Sequence, residues 1–256
     1  MHFALIDGDI LVYRIGFASE EDDQSIAMAR CGEFLENLIL FNGFEDYKGY
    51  LTGGGNFRHD VAVTAPYKGN RKSAKPKHYD ILRQYMQQSW GFEMIEGQEA
   101  DDAIGIAAYA LEPGEYCICT IDKDLDMIRG DHFNFTKDLR YFITEEEGIR
   151  NFYKQILTGD RVDNVVGIKG IGAVKAERIL KECKDENEMY LAVLEAYNGD
   201  EARVLENGQL LWIRRQPNEI WIPPKLSTSS GSTQLQTQDG KTKSKRKSTS
   251  VIPSAS

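Results

Sequence analysis

Acidic residues follow short apolar segments at several points of the sequence, a placement that would gather them at one point of a fold. Asp7 and Asp9 follow an apolar segment at the N-terminus. Asp122 and Asp124 follow a second apolar segment. A helix candidate rich in small residues is opened by three further acids, Glu99, Asp101 and Asp102. Residues just past the carboxyl ends of parallel strands converge on one crevice, so these three stretches are predicted to share a cleft.

Crowding of these carboxylates has an energetic cost that limits what the cleft can be. Two carboxylates about 4 Å apart repel by about 4 kcal/mol at an effective dielectric constant of roughly 20. They are tolerable together only with bound cations or with raised pKa values. Oxygen ligands without His or Cys favour Mg²⁺ or Mn²⁺. Two such ions about 3.5–4 Å apart are a standard arrangement for phosphodiester cleavage, so the acids predict a site for two divalent ions.

Each acid also has an ordinary structural interpretation. Taken singly, Glu99, Asp101 or Asp102 would be expected to cap a helix or to interact with its dipole. Asp7 followed by Gly8 is typical of a simple turn. The equivalent placement of all three acidic stretches favours the metal site over these interpretations.

A glycine-rich segment between two helix candidates is the most specific signal in the chain. Gly170 and Gly172 precede a helix candidate that carries Lys175. Glycine lets a backbone approach a phosphate closely, and the amides at a helix N-terminus favour anions. An ordinary glycine-rich turn is the alternative. Two acids just before the glycines, Asp160 and Asp163, favour a functional hairpin over that alternative.

A basic stretch begins at Tyr67. Its positive residues are Lys68, Arg71, Lys72, Lys75 and Lys77. Such a charge run is usually a solvated loop. A basic segment with an aromatic residue, placed beside an acidic cleft, is also what a channel for single-stranded nucleic acid requires.

The elements that would position these residues alternate between strand and helix in the first part of the chain, which predicts an α/β fold with a mainly parallel sheet flanked by helices. The pattern then turns helical, with candidates at Glu145–Thr158, Ala173–Lys184 and Glu186–Tyr197. We expect an α/β domain over 1–150, a helical region over 151–200, and a segment packing on the body over 201–224. The range 225–256 is rich in Ser, Thr, Gln and Lys and is predicted to be a disordered basic tail.

Composition narrows the class of protein further. The 256 residues are 41% apolar and 28% charged, which is typical of a globular chain, and no apolar run is long enough to span a membrane. The four cysteines fit no zinc spacing and suggest reduced, cytosolic thiols. The net charge of −9 argues against nucleic acid until its distribution is considered, because the tail alone carries six Lys or Arg and one Asp.

Taken together, the motifs resemble those of the flap endonuclease and 5′–3′ exonuclease superfamily, particularly the bacteriophage 5′ exonucleases. The resemblance covers roughly residues 1 to 224. In chain order the matching segments are Ile6-Asp7-Gly8-Asp9, Asn56-Phe57-Arg58, Tyr67-Lys68-Gly69-Asn70-Arg71, Glu99-Ala100-Asp101-Asp102, Asp122-Lys123-Asp124 and the range 159–172. Any one motif alone would be weak, but their order and spacing make the match specific.

The resemblance implies that 1–150 is a PIN-like nuclease domain and that 151–200 is a helix–three-turn–helix DNA-binding region. It also implies a cytoplasmic location in a bacterial or phage-infected cell, and it implies roles for individual residues. The implied metal ligands are Asp7, Glu99, Asp101, Asp102, Asp122, Asp124, Asp160 and Asp163. Lys68 would steady the scissile phosphate, Tyr67 would stack near a terminal base and Arg71 would contact phosphate, so Lys68 and Arg71 join the acids as catalytic candidates. The implied DNA-binding residues are Arg58, Tyr67, Lys68, Arg71, Lys72, Gly167, Lys169, Gly170, Gly172 and Lys175. The family also often holds a K⁺ ion at the hairpin carbonyls.

One position departs from the family pattern. Many members carry an Asp where this chain has Gly53, so one ligand of the first ion is expected to be missing. We expect the site to work nevertheless, with water or a neighbouring acid in place of the Asp.

The resulting expectation is a monomeric, Mg²⁺- or Mn²⁺-dependent hydrolase that acts on DNA with 5′ ends or 5′ flaps, with RNA–DNA hybrids as a further candidate substrate. Two alternatives stay open at this point. One is a catalytically weakened, structure-specific DNA-binding protein, which the missing acid at Gly53 suggests. The other is a PIN-type ribonuclease, against which the glycine hairpin argues.

Overall fold

A six-stranded sheet forms the centre of the fold in a computed structural model that describes residues 3–71 and 74–225. Its strands are β1 (Phe3–Asp7), β2 (Asp46–Thr52), β3 (Glu93–Ile95), β4 (Tyr116–Cys119), β5 (Gly130–Asn134) and β6 (Leu139–Ile143). They lie in the order β3-β2-β1-β4-β5-β6, and every neighbouring pair is parallel except β5 with β6. The predicted α/β fold with a mainly parallel sheet is confirmed.

Helices cover both faces of this sheet. They are α1 (Gly8–Ala18), α2 (Gln24–Leu40), α3 (Arg58–Val61), α4 (Tyr79–Trp90), α5 (Ala100–Tyr109), α6 (Glu145–Thr158), α7 (Ala173–Leu180), α8 (Glu186–Ala196) and α9 (Glu201–Leu211). Side chains alternate across a strand, so in β1 Leu5 joins one apolar core while Ala4 and Ile6 join the other. The first core contains α5 and the helices from α6 onward, and the second contains α1, α2 and α4.

The strand order places a crevice beside β1. The chain runs from β1 outward to β2 and β3, and then returns to β4 on the opposite side of β1. Parallel sheets bind ligands where the connections diverge in this way, at the carboxyl ends of the strands. Asp7 is the last residue of β1, and Asp122 follows β4 after two further residues. The topology therefore brings these two acids to the same edge.

A small antiparallel hairpin of β7 (Gly159–Asp160) and β8 (Val165–Val166) joins α6 to α7. The backbone segments on the two sides of this hairpin lie too close together for side chains to fit at Gly159 and Gly167. A Cβ atom at Gly159 would lie 2.3 Å from the amide nitrogen of Gly167, and one at Gly167 would lie 2.2 Å from the carbonyl carbon of Thr158. Glycine is therefore required at both positions by backbone contact within the protein itself.

Several elements differ from their predicted form. The turn expected after Asp7 is the start of α1, because the Asp7 side chain accepts a hydrogen bond from the amide of Ile10 and caps the helix. The helical periodicity over Ser25–Phe41 predicts core positions in α2 at Ile26, Leu35, Leu38 and Ile39. Leu35 and Leu38 are buried and Ile39 is partly buried against the core, whereas Ile26 is 43% exposed and its predicted core position is wrong.

Some of the predicted features concern residues that the structure does not describe. Lys72 and the predicted basic tail beyond Lys225 lie outside the described residues. The domain boundaries near residues 150 and 200 stay predictions. Within the described ranges, no helix is long and apolar enough to cross a membrane.

Candidate metal and DNA site

Asp7 lies at the floor of the crevice and is 2% exposed. Its Oδ1 accepts from the amide of Ile10 at 3.2 Å, and its Oδ2 accepts from the Thr120 hydroxyl at 2.8 Å. Burial, and next the negative charge of Asp9, raise the pKa of Asp7 from its ordinary value of 3.8 to about 7. The carboxyl group therefore lacks the water contact and the positive charge that would stabilise its ionised form.

Asp101 and Asp122 extend this acidic cluster. Loss of water contact, followed by repulsion from Asp7, Asp122 and Glu99, raises the pKa of Asp101 well above its usual range. The pKa of Asp122 is raised by burial and by the charges of Asp163 and Asp160, against an opposing hydrogen bond from the amide of Asp124.

Asp124 connects the cluster to the hairpin between β7 and β8. Burial and the charges of Asp122 and Asp160 raise the pKa of Asp124 to about 7, although the Gln155 side-chain amide donates a hydrogen bond to it. The acids that follow β1 and β4, the acid in the first turn of α5 and the acids of the hairpin therefore interact as one negatively charged group. This convergence is what the strand-end placement predicts.

Two cations of the basic stretch enter the cluster. The Lys68 ammonium group pairs with Glu99 and lies 3.5 Å from Asp163. The Arg71 guanidinium pairs with the other Asp163 oxygen at 2.5 Å. The Tyr67 hydroxyl lies between the same two acids, 3.0 Å from Glu99 and 2.6 Å from Asp163. The structure therefore brings the predicted catalytic cations to the predicted metal ligands.

Asp102 and Arg58 do not take the roles expected of them. Asp102 is fully buried and forms a bidentate ion pair with Arg58, with N–O distances of 2.6 and 2.9 Å. The Asp102 oxygens also accept from the amides of Glu99 and Arg214, so none is left for a metal ion. Arg58 is 2% exposed and donates to the carbonyls of Leu210 and Trp212. Asp102 as a metal ligand and Arg58 as a DNA contact are therefore wrong predictions.

Tyr67 also differs from its predicted role. Its side chain is 4% exposed, the ring meets His59 edge-on, and the hydroxyl contacts the two acids described above. A ring enclosed in this way has no free face for a nucleobase. Stacking of Tyr67 on a terminal base is therefore wrong, and the side chain serves to hold the acids instead.

The donor set fits a hard divalent cation, but its arrangement is not yet that of a closed coordination site. Across residues 3–71 and 74–225, no group of three or more His, Cys, Asp or Glu is arranged so that it could hold a metal ion. Lys68 and Arg71 instead occupy oxygens of Glu99 and Asp163. Burial first, and then repulsion between the acids, raise the pKa values in the cluster, and a bound divalent cation would favour the ionised carboxylates.

The hairpin and the start of α7 present the predicted DNA-binding surface. Lys169, Gly170, Gly172 and Lys175 are exposed, and Gly167 is half-buried because it packs against Gly159. A Cβ atom at Gly170 or Gly172 would meet no atom within 4 Å, so the backbone there is open to a ligand. The Lys175 ammonium group donates to the carbonyl of Gly170 at 2.7 Å.

An acid, Glu96, lies beside Gly53 in the structure. The Glu96 carboxylate accepts from the amide of Gly54 at 2.7 Å, and a Cβ atom at Gly53 would lie only 2.4 Å from Glu96 Oε1. The space that a side chain at residue 53 would need is therefore filled by Glu96.

Sequence reasoning missed the residues that hold the crevice walls in place. Arg83 of α4 pairs with Asp9 at 2.9 Å and donates to the carbonyl of Thr52, which joins α1, β2 and α4. Thr120 donates to Asp7. An Arg within an amphipathic helix gives no local signal of such a partner, whereas a Thr directly after a strand that leads to an acid is a pattern that could have been noticed.

Comparisons with known proteins agree with this architecture. A 5′–3′ exonuclease of Mycoplasmopsis pulmonis is 26% identical over 209 residues, which are 73% of this chain and 69% of that protein. The thermostable DNA polymerase I of Thermus aquaticus is 32% identical over 200 residues, which are 70% of this chain but 23% of the polymerase. No family model matches the chain.

Solved structures show the same fold. The bacteriophage T5 protein co-crystallised with metal ions superposes with a TM-score of 0.67 and 18% identity, covering 82% of this chain and 89% of that chain. The T5 flap endonuclease in a complex with DNA and metal ions gives a TM-score of 0.64 at 17% identity, with the same coverage. The chain belongs to the flap endonuclease and 5′–3′ exonuclease superfamily.

Introducing the acid that many relatives carry, Gly53→Asp, is expected to destabilise the protein rather than to improve the site. The new Cβ would overlap Glu96 and also lies 2.7 Å from the carbonyl oxygen of Ile95, so we expect a loss of about 1–3 kcal/mol in urea unfolding. The double variant Gly53→Asp/Glu96→Ala should recover part of that loss. A single variant as stable as the native protein would contradict this packing.

Stability of the metal-free protein should depend on pH because of Asp7 and Asp124. Their raised pKa values mean that the folded protein keeps protons that the unfolded chain releases. Their contribution to the free energy of unfolding is complete below the ordinary pKa of 3.8 and is lost as pH rises through about 7. Thermal unfolding in EDTA across this range should show a weaker decline for Asp124→Asn, and Mg²⁺ should restore stability at the alkaline end. Parallel curves for native protein and variant would contradict the assignment.

Proposed function

We propose that this protein is a divalent-metal-dependent 5′ nuclease that hydrolyses phosphodiester bonds of DNA. The observation that carries the proposal is the convergence of the acids from β1, α5 and β4 with those of the β7–β8 hairpin, together with the two cations that reach them. Membership of a superfamily of exonucleases and flap endonucleases supports the same reaction.

The proposed ligands of two Mg²⁺ or Mn²⁺ ions are the clustered acids apart from Asp102. They are Asp7, Glu99, Asp101, Asp122, Asp124, Asp160 and Asp163. Bound ions would supply Lewis acidity and an activated water for attack on the phosphorus atom. The co-crystallised metal ions of the T5 protein support such a site.

Protein side chains perform the remaining tasks. Lys68 has a flexible side chain and a point charge, so its ammonium group can leave Glu99 and contact the scissile phosphate. Arg71 is 47% exposed in its side chain and can contact a neighbouring phosphate in the same way. The exposed amides around Gly170 and Gly172, with Lys169 and Lys175, would hold the backbone of the duplex. A K⁺ ion at the hairpin carbonyls is part of the proposal.

The proposed substrates are duplex DNA with a 5′ end and DNA with a 5′ flap, with RNA–DNA hybrids as a further candidate. The DNA complex of the T5 flap endonuclease supports the flap. We propose that the protein acts as a monomer during replication in the cytoplasm of a bacterial or phage-infected cell. The range 151–200 is proposed as its DNA-binding region.

A second candidate is a structure-specific DNA-binding protein with weakened catalysis. It is favoured by the arrangement around Glu99, since no described group of three acids is preformed for a metal ion and Lys68 occupies one of the oxygens. Gly53 in place of an acid favours it as well.

Cleavage of end-labelled substrates in Mg²⁺ separates the two candidates. The panel comprises a 5′ flap, a blunt duplex, a nicked duplex and an RNA–DNA hybrid. We expect cutting near the 5′ end, and a fall of at least about a hundredfold in Asp122→Asn because the ion and its charge stabilisation are weakened. A matched control is Asp126→Asn, an acid on the same turn whose Oδ1 accepts from Tyr141. Tight binding in Ca²⁺ without any cutting in Mg²⁺ would establish the DNA-binding protein instead.

A further inference from the structure

A short segment that precedes and contains the catalytic cations, residues 63–71, is here named the strap. Its first part is held by one carboxylate of α9. The amides of Val63 and Thr64 donate to Glu206 Oε1 at 2.8 and 2.6 Å, and the Thr64 hydroxyl donates to Glu206 Oε2 at 2.7 Å. Glu206 is only 9% exposed, so it cannot exchange these donors freely for water.

The second part of the strap is held by the loop of the hairpin. The Asn164 side-chain amide donates to the carbonyl of Pro66 at 2.9 Å, and the amide of Lys68 donates to the carbonyl of Asp163 at 2.8 Å. The Asn70 side-chain amide donates to the carbonyl of Arg161 at 2.6 Å. The hairpin loop therefore fixes the strap on both sides of Lys68.

Lys68 has an unfavourable backbone conformation. Its φ is 55°, in the left-handed region that residues with a Cβ rarely adopt. Such a conformation persists only when surrounding contacts enforce it. Those contacts are of two kinds. Before Lys68, Glu206 accepts hydrogen bonds from Val63 and Thr64, and on either side of Lys68 the strap is hydrogen-bonded to the hairpin loop.

The same helix also holds the hairpin. The Arg203 guanidinium donates to the carbonyl of Val166 in β8 at 2.8 Å and forms an ion pair with Glu206. The Asn207 side-chain amide donates to the same Val166 carbonyl at 2.9 Å. One turn of α9 is thus bonded both to the strap and to the proposed duplex-binding hairpin.

Glu206 has the charge that this arrangement requires. Burial opposes ionisation, but the hydrogen bonds from Thr64 and Val63 and the charge of Arg203 together lower its pKa. A neutral amide at this position would accept at one atom only and would present two donors to a strap that offers donors itself.

We propose that Glu206 is a positioning residue for Lys68: it fixes the start of the strap on the helix that also holds the hairpin, so that a duplex bound at the hairpin meets Lys68 at a defined place. This inference rests on the proposed nuclease function. The described polar partners of Glu206 are Val63, Thr64 and Arg203, none of them an acid of the cluster, so its effect on the reaction is expected to pass through the strap.

The first experiment compares Glu206→Gln with Glu201→Gln, an exposed glutamate one turn earlier on the same helix. We expect the single-turnover cleavage rate of Glu206→Gln to fall about tenfold from misplacement of Lys68, with DNA affinity in Ca²⁺ unchanged within about twofold. In a Lys68→Ala background the same substitution should add little, because both changes remove the same contact. An equal loss in both backgrounds, or a loss of affinity that matches the loss of rate, would overturn the proposal.

The second experiment needs no nuclease activity. Cleavage by trypsin after Lys68 requires the strap to leave the hairpin loop, so Glu206→Gln should be nicked after Lys68 about tenfold faster than Glu201→Gln. Thr64→Val, which removes one donor to Glu206, should give a smaller increase and serves if Glu206→Gln folds poorly. Equal nicking of all variants would overturn the strap's attachment. Faster nicking in a protein that cuts no DNA would keep the attachment and reject only the proposed nuclease.

Discussion

Repulsion among carboxylates in a water-poor crevice is the constraint on which the rest of the structure depends. Unneutralised acids this close together favour the unfolded chain, so each must be buried with a proton, paired with a cation or supplied with a metal ion. The structure contains ion pairs of the second kind, and the raised pKa values of two acids make the first solution available below about pH 7. Asp7 and Asp124 have pKa values raised to about 7, while Glu99 and Asp163 are paired with Lys68 and Arg71. A divalent ion is the third solution, and it would release the two cations for phosphate.

The scaffold around this crevice is built so that the acids cannot move apart. Asp7 is held by the helix that it caps, and α5 is anchored by the buried pair of Asp102 with Arg58. That pair also reaches Leu210 and Trp212, so the C-terminal part of the described chain is bonded to the start of α5. Burial of a paired charge costs desolvation, and loss of either partner would leave the other uncompensated. Asp102 thus supports the site indirectly, because its ion pair with Arg58 fixes the start of α5.

The α/β fold and the placement of the acids could be predicted from the sequence because the signals for them are local. Acids directly after strands, and a glycine-rich hairpin before a helix, are set by backbone topology, and the α/β fold followed from alternation along the chain. What could not be predicted depends on contacts between distant segments. Adjacent acids at the start of α5 look alike in sequence, yet Asp101 faces the other carboxylates while Asp102 meets Arg58. Likewise Glu206 lies far from the strap in sequence, and only the packing of α9 brings them together.

We propose that the acidic crevice binds divalent metal ions and that Lys68 leaves Glu99 when they bind. A crystal structure of the protein soaked in Mn²⁺, with an anomalous difference map, tests it most directly. We expect peaks among the oxygens of Asp7, Asp101 and Asp122, with a second position toward the hairpin acids and with Lys68 no longer paired to Glu99. A map without peaks in the crevice, and with Lys68 still on Glu99, would contradict it.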